Sequence, residues 1–420
     1  MSVDNARVAA RLRAERKKRR MTVQAVAEAF RDHATERDRQ RLPKLKDLCR
    51  TIRGHEAGEH PPGPRYRMLY AAVYDMAEDD LFGEHGNAQA SPWRVSGVEL
   101  ELNGRFTFDD EDRLVQATRR ITRPDSHVVE SLAAILAEQR RLEDAVGSAP
   151  VLRVVRMQLP VVQQLVAEAR GQVRPKLVDV AAQWAQFSGW LNIAVGDASA
   201  ARMSLDRAAE HAEEIGDAAM VGTALSWKAY LAERIGQIGP MVGMARAAQR
   251  NRIGPGHAYD LFLEARGHAL AGESREAERL LGEAQTAVAN AEPASAKPWE
   301  YYYLEPGFFA LEAGVTNVYL GRNDPKRNAE AVEYLMEGLA ELPTAMRGAE
   351  WAGEYIAHQA VAHFQASEAE AAGAAVLEAA RIAHATSSES LLRRLRGIHS
   401  RMSEKWPTDP AVTVLLDALR

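Results

Sequence analysis

Four consecutive cations, Lys17, Lys18, Arg19 and Arg20, and a second group at Lys44, Lys46, Arg50 and Arg53 with Thr51 between them, carry the most legible chemistry in this chain of 420 residues. Ammonium and guanidinium groups at this density neutralise phosphates, and a guanidinium fork also makes paired hydrogen bonds to base edges. The charge balance agrees. Residues 1–67 hold 18 Lys/Arg against 9 Asp/Glu, a net of +9 in a chain of net −5, which leaves −14 for the rest. A basic head on an acidic body implies that the head alone meets a polyanion.

Catalytic chemistry has no comparable signal. The sequence contains no Gly-rich phosphate loop, no His-Glu-x-x-His and no Gly-x-Ser-x-Gly. Its 12 histidines are scattered, and His358 and His363, five apart, do not share a helix face as an i, i+4 pair does. One cysteine, Cys49, excludes an internal disulfide and reads as a buried thiol on an apolar helix face. No enzyme activity, cofactor or metal is expected. No apolar run approaches the ~18 residues of a membrane span, and the N-terminus lacks a secretory apolar stretch, so a cytoplasmic protein is expected. Arg outnumbers Lys 44 to 9, which with the abundant alanine suggests a GC-rich bacterial genome.

The elements that position the basic residues are helices. Residues Asn5 to Arg20 place Val8 and Leu12 inward at helical spacing, and Thr22 is a suitable N-cap for a second helix carrying Val23, Val26, Ala27 and Phe30. After a polar stretch, a third helix holds Leu45, Leu48, Cys49 and Ile52 and stops before Gly58 and Pro61-Pro62. A fourth, Arg65 to Met76, carries Tyr66, Leu69, Tyr70, Val73 and Tyr74.

Thr22-x3-Val26-Ala27, Ile52-x2-His55-Glu56-x-Gly58-x2-Pro61 and Tyr66-x2-Leu69-Tyr70 together resemble the lambda-repressor-like helix-turn-helix family of xenobiotic-response-element regulators. His55 stands where the family usually has Trp, and the link between the second and third helices is longer than usual. The resemblance implies a head that binds double-stranded DNA, with the third helix in the major groove. Lys44, Lys46, Arg50, Thr51 and Arg53 would then face bases, while Lys17, Lys18, Arg19, Arg20 and Gln24 would meet the phosphate backbone. His55 is expected to pack in the Trp slot.

The second half of the chain repeats a spacing. Gly189, Gly196, Ala201, Leu205 and Ala208 are separated by seven, five, four and three residues, and Ala265, Gly272, Ala277, Leu281 and Ala284 keep the same intervals. So do Ala360, Ser367, Ala372, Val376, Ala379 and, in a further copy, Ala229, Gly236, Met241, Ala245, Ala248. A fifth copy starts at Gly314 and Gly321 and resumes at Ala331, Leu335 and Gly338 after an insertion. Small residues at the first two positions let two antiparallel helices approach, with the turn near the second. This resembles the tetratricopeptide-repeat family with lengthened connections. Such repeats stack into a solenoid whose inner surface is formed mainly by first helices. Asn192, Lys228, Arg266, His268, Asn317 and, from an aromatic stretch at Lys297 to Ala310, Tyr303 are the candidate groove residues. In that stretch consecutive tyrosines cannot all face the core, so at least one must face away. Pro160, inside an otherwise helical pattern, is expected to bend or split its helix.

The expected fold is all-α: a helix-turn-helix domain at 1–82, a linker at 83–108 with a short extended segment near Val98 to Leu102, and a right-handed α-solenoid of tetratricopeptide-like repeats at 109–420, clearest over 176–385. The order resembles bacterial transcriptional regulators that join such a head to a repeat body, the best understood of which bind short peptides in the concave solenoid; a peptide, small molecule or protein effector is expected here. A homodimeric, sequence-specific DNA-binding regulator is the leading expectation. The alternative is a repeat scaffold for protein partners with a vestigial head.

Overall fold

A computed structural model describes residues 3–35, 38, 39, 42–82, 124–292, 296–322 and 324–420. These are helical throughout, with no strand among the described residues. The expected linker 83–108, its extended segment and the first residues of the expected repeat domain lie outside the described residues. The chain divides into two compact units, Met1–Glu138 with Pro160–Leu177, and Gln139–Leu159 with Val178–Arg420.

The first unit begins with α1 (Val3–Lys18), α2 (Val23–His33), α3 (Leu45–Ala57), α4 (Pro64–Tyr74) and α5 (Glu78–Phe82). Thr22 caps α2, its hydroxyl accepting from the Ala25 amide at 3.0 Å. Gly58, at φ +73°, ends α3 in the left-handed conformation that glycine adopts without steric cost. The apolar faces of these helices share one core containing Leu12, Val26, Phe30, Leu48, Cys49, Ile52, Tyr66, Tyr70 and Tyr74. Cys49 is buried there. Arg16 clamps α1 to the end of α3 through a two-pronged ion pair with Glu56, at 2.6 and 2.7 Å. His55 is buried against Tyr66 and Tyr70, with Nδ1 3.3 Å from the Tyr70 hydroxyl, and burial holds its pKa well below the ordinary imidazole range.

Two long helices, α6 (Ser126–Val146) and α7 (Ser148–Glu168), follow. α7 is one helix through Pro160, so of the expected bend or split the split does not occur, and one of the three boundaries between the units falls at this proline. Five helix pairs come next: α8 (Val173–Val195) with α9 (Ala198–Ile215), α10 (Ala218–Arg234) with α11 (Ile238–Gln249), and α12 (Gly254–Ala271) with α13 (Ser274–Ala289). A 3-10 helix over Pro298–Leu304 precedes α14 (Phe308–Leu320) with α15 (Pro325–Glu341), and α16 (Glu350–Gln365) with α17 (Ala369–Ala385). Then α18 (Glu389–Lys405) and two short helices, α19 (Pro410–Thr413) and α20 (Leu415–Ala418), close the chain.

The repeated spacing has a direct physical counterpart. A Cβ placed on Gly189 would lie 2.5 Å from a Leu205 methyl, and one on Gly314 would lie 2.6 Å from Leu335, so the first small residue meets the leucine of its own second helix. The second position makes the turn: Gly196, Gly236, Gly272 and Ser367 all take positive φ, at +86°, +73°, +80° and +66°. Gly321, in the copy with the insertion, is right-handed at φ −69°. Asp197 and Asp217 then cap α9 and α10. Each second helix packs on the first helix of the following pair, and the first helices α10, α12, α14 and α16 also pack in succession. The result is a series of helix pairs, each packed on the next.

Candidate functional site

Two surfaces carry chemistry, one in each unit. In the first unit α3 buries Leu48, Cys49 and Ile52 and therefore turns Lys46, Arg50 and Arg53 outward at spacing four then three. All three are exposed, as is Lys44 at the N-cap, and none of the four has an ion-pair partner among the described residues. Thr51 is half-buried. Lys17, Lys18 and Arg20 are exposed at the end of α1, Lys18 lying 3.8 Å from Glu15. Arg19 is engaged differently: its guanidinium donates to Glu15 and to the Tyr74 carbonyl and lies over the Tyr74 ring, 5.0 Å from its centroid. The exposed Gln24 donates to Glu28 at 2.9 Å.

In the second unit the first helices of all five pairs converge on one cavity of about 890 Å³, its open mouth included. α8 contributes Gln186, Phe187 and Trp190; α10 Trp227 and Tyr230; α12 Tyr259 and Arg266; α14 Phe308, Glu312 and Val315; α16 Trp351, Glu354, Tyr355 and His358. The end of α6 adds Arg140, Glu143 and Asp144, and the 3-10 helix adds Trp299, Tyr301 and Tyr302. The aromatic rings touch edge to face or tilted: Trp190 and Trp227 have centroids 5.0 Å apart, Trp227 and Tyr230 5.7 Å, Tyr302 and Phe308 5.5 Å, Trp351 and Tyr355 6.1 Å.

The charges around this cavity are mostly paired. Arg266 lies between Glu233 at 3.3 Å and Glu312 at 2.9 Å, and the Tyr355 hydroxyl also donates to Glu312. Glu354 accepts from Arg234 at 2.8 Å and from Arg394; against the cost of burial, the two guanidiniums hold its carboxyl down at about 2. His358 stays neutral because burial and the neighbouring Arg394, Arg266 and Arg234 all disfavour its cation. Asp144 accepts from the Tyr301 hydroxyl at 2.8 Å and the Trp351 indole at 3.0 Å, with burial raising its pKa. Glu143 accepts from the Ser148 hydroxyl at 2.6 Å; burial, with Asp144 beside it, pushes its carboxyl up to about 8, so it is largely protonated at neutral pH.

Of the six groove residues expected from sequence, Arg266 lines this cavity and the other five do not. Asn192 and Asn317 fold back on their own helices, donating to the carbonyls of Ser188 at 2.7 Å and Ala313 at 3.1 Å. His268 faces its hairpin turn, 2.5 Å from Glu273, and Lys228 pairs with Asp206 at 2.5 Å on a different surface. Tyr303 stacks on Tyr259 at 4.9 Å inside the core, next to Arg252. Its neighbours Tyr301 and Tyr302 are the ones that turn into the cavity. The lining residues obey a register that the sequence contains. Trp190, Tyr230, Arg266 and Val315 each follow the first small residue of their repeat directly. Phe187, Trp227, Glu312 and His358 stand two before it, and Tyr259, Phe308 and Glu354 six before it. These positions form one helix face, whereas Asn192, His268 and Asn317, three after the small residue, lie toward the turn.

Compared with models of known protein families and with curated proteins, the chain matches none. No group of three or more His, Cys, Asp or Glu among the described residues is arranged to hold a metal ion. No helix among them is long and apolar enough to cross a membrane.

Proposed function

We propose that this protein is a sequence-specific DNA-binding transcriptional regulator, acting as a homodimer, whose helical repeats bind a small-molecule effector. The observation that carries the reading is the outward face of α3, where Lys46, Arg50 and Arg53 stand exposed and without ion-pair partners beside an apolar face that anchors the helix. A helix so presented suits the major groove, and a dimer would set two such helices about one helical turn, roughly 34 Å, apart. Lys17, Lys18 and Arg20 would meet phosphates. The cavity supports the sensing role, because an occupant would touch the first helices of five repeats at once. Binding there alters DNA affinity to the extent that the occupant prefers one arrangement of the repeats over another. The concave, aromatic-walled shape favours a small molecule over a folded protein partner.

The test is retention of genomic DNA fragments by the full-length protein across a salt series, with footprinting of those retained. A steep fall in affinity with salt and discrete protected sites support the regulator. Failure to retain any fragment at low salt would favour a protein-binding scaffold instead.

A further inference from the structure

The cavity holds one unbalanced charge. Arg140 lines it from α6 and donates to Gln186 Oε1 at 3.2 Å, with its guanidinium over the Phe187 ring, 5.7 Å from the centroid. No carboxylate lies within ion-pair distance of it among the described residues. Every other charge on the wall is paired or hydrogen-bonded: Arg266 to two glutamates, Glu354 to two arginines, Asp144 to a hydroxyl and an indole, Glu143 to Ser148. A guanidinium presents five N–H donors in a planar fork, so most of those on Arg140 are left without a partner among the described residues.

We propose that the cavity binds a small aromatic monocarboxylate, its carboxylate held by Arg140 and its ring slotted among Trp190, Trp227, Tyr230 and Tyr302. The proposal rests on the effector-site reading of the cavity and is independent of DNA binding. A carboxylate matches the guanidinium fork in geometry and supplies the missing single charge. A phosphate dianion would bring a second negative charge toward Asp144 and Glu354 with no free cation to meet it. A quaternary ammonium would suit the aromatic rings, but it would face Arg140 and find the carboxylates already engaged. The surroundings agree. Burial lowers the Arg140 pKa to about 10, the mark of a cation lacking a counter-charge, and the largely protonated Glu143 on the same helix does not repel an anion. Trp190, Tyr230, Tyr301 and Tyr302 are only partly buried although the repeats surround them, because part of each ring borders the cavity.

Trp190, Trp227, Trp299 and Trp351 line the site, so tryptophan fluorescence of the full chain reads occupancy directly. The probes are benzoate and phenylacetate, which do not absorb at the wavelength that excites tryptophan, each compared with its neutral carboxamide, and a phenyltrimethylammonium ion. Saturable quenching by the acids, at least tenfold tighter than by the carboxamides or the ammonium, is the expected result. In Arg140→Gln the acids should weaken tenfold or more while carboxamide binding stays within twofold, and Arg140→Lys should restore part of the preference. Melting curves for both variants confirm that the fold persists. The proposal is overturned if no acid binds up to millimolar concentration, if the carboxamide or the ammonium binds as well as the acid, or if Arg140→Gln leaves the acid preference intact. Acid binding with no retention of DNA would sink the regulator reading and leave this one standing.

Discussion

Arg252 offers the sharpest test of how the cavity wall is held. It is 2% exposed and bonds Asp260 at 2.8 Å and Glu300 at 2.7 Å, which are 0% and 5% exposed. Glu300 in turn accepts from the Lys297 amide at 2.9 Å, so this triad fastens the 3-10 helix bearing Trp299, Tyr301 and Tyr302 to the start of α12. Arg252→Met keeps most of the side-chain volume and removes the charge, leaving two buried carboxylates facing each other. Breaking a buried ion pair by deleting one partner costs about 3–5 kcal/mol, and two stranded acids place this variant at the upper end. The loss must depend on pH. Burial already raises the Asp260 carboxyl to about 7 against the pull of Arg252, and without that pull it rises further. An acid whose folded pKa exceeds its unfolded value of ~4 destabilises the fold progressively as pH rises through that window. The gap between variant and parent should therefore be smallest near pH 5 and widest near pH 8. Urea unfolding of the full chain, followed by tryptophan fluorescence, measures it. Adding Asp260→Asn to the variant should recover part of the loss at pH 8. A deficit under about 1 kcal/mol, or one unchanged between pH 5 and 8, would refute the reasoning.

Other expectations follow from the same geometry. Arg50→Ala and Arg53→Ala should each weaken specific DNA binding by about 1–3 kcal/mol and relax base preference, measured by fluorescence anisotropy on a footprinted site. Lys17→Ala should weaken all sequences alike and shallow the salt slope by about one unit, whereas Arg19→Ala, which frees Glu15 and the Tyr74 carbonyl, should show itself as a lower melting temperature. Gly189→Ala forces a methyl onto Leu205 and should cost about 1–3 kcal/mol in urea titration, while Gly236→Ala, at φ +73° in open space, should cost only about 1 kcal/mol. Glu143 ionises near pH 8 in the folded chain, so its contribution destabilises the protein as pH rises from ~4 toward 8; Glu143→Gln should flatten that part of the pH–stability profile.

The pairing of neighbouring helices was legible because its cause is local. Seven residues from a small side chain to a left-handed turn, then an Ala/Leu/Ala face on the return helix, describe a hairpin that must pack on its own second half, and Gly189 against Leu205 is that contact. The basic face of α3 was legible for the same reason: Leu48, Cys49 and Ile52 fix which way Lys46, Arg50 and Arg53 point. Polarity alone did not reveal the cavity. Asn192 and Asn317 look like convergent ligands in the sequence, but one step around the helix they spend their amides on carbonyls four residues back. Within Tyr301-Tyr302-Tyr303 only tertiary packing decides that the third ring enters the core beside Arg252 and the first two border the cavity. The charge pattern of the cavity belongs wholly to the tertiary level. Arg234 reaches Glu354 and Arg266 reaches Glu312 across 120 and 46 residues of chain, and Arg140 meets Gln186 where a carboxylate would balance it. Helical spacing determines which face a side chain occupies, but whether its charge finds a partner depends on which distant helix is folded against that face.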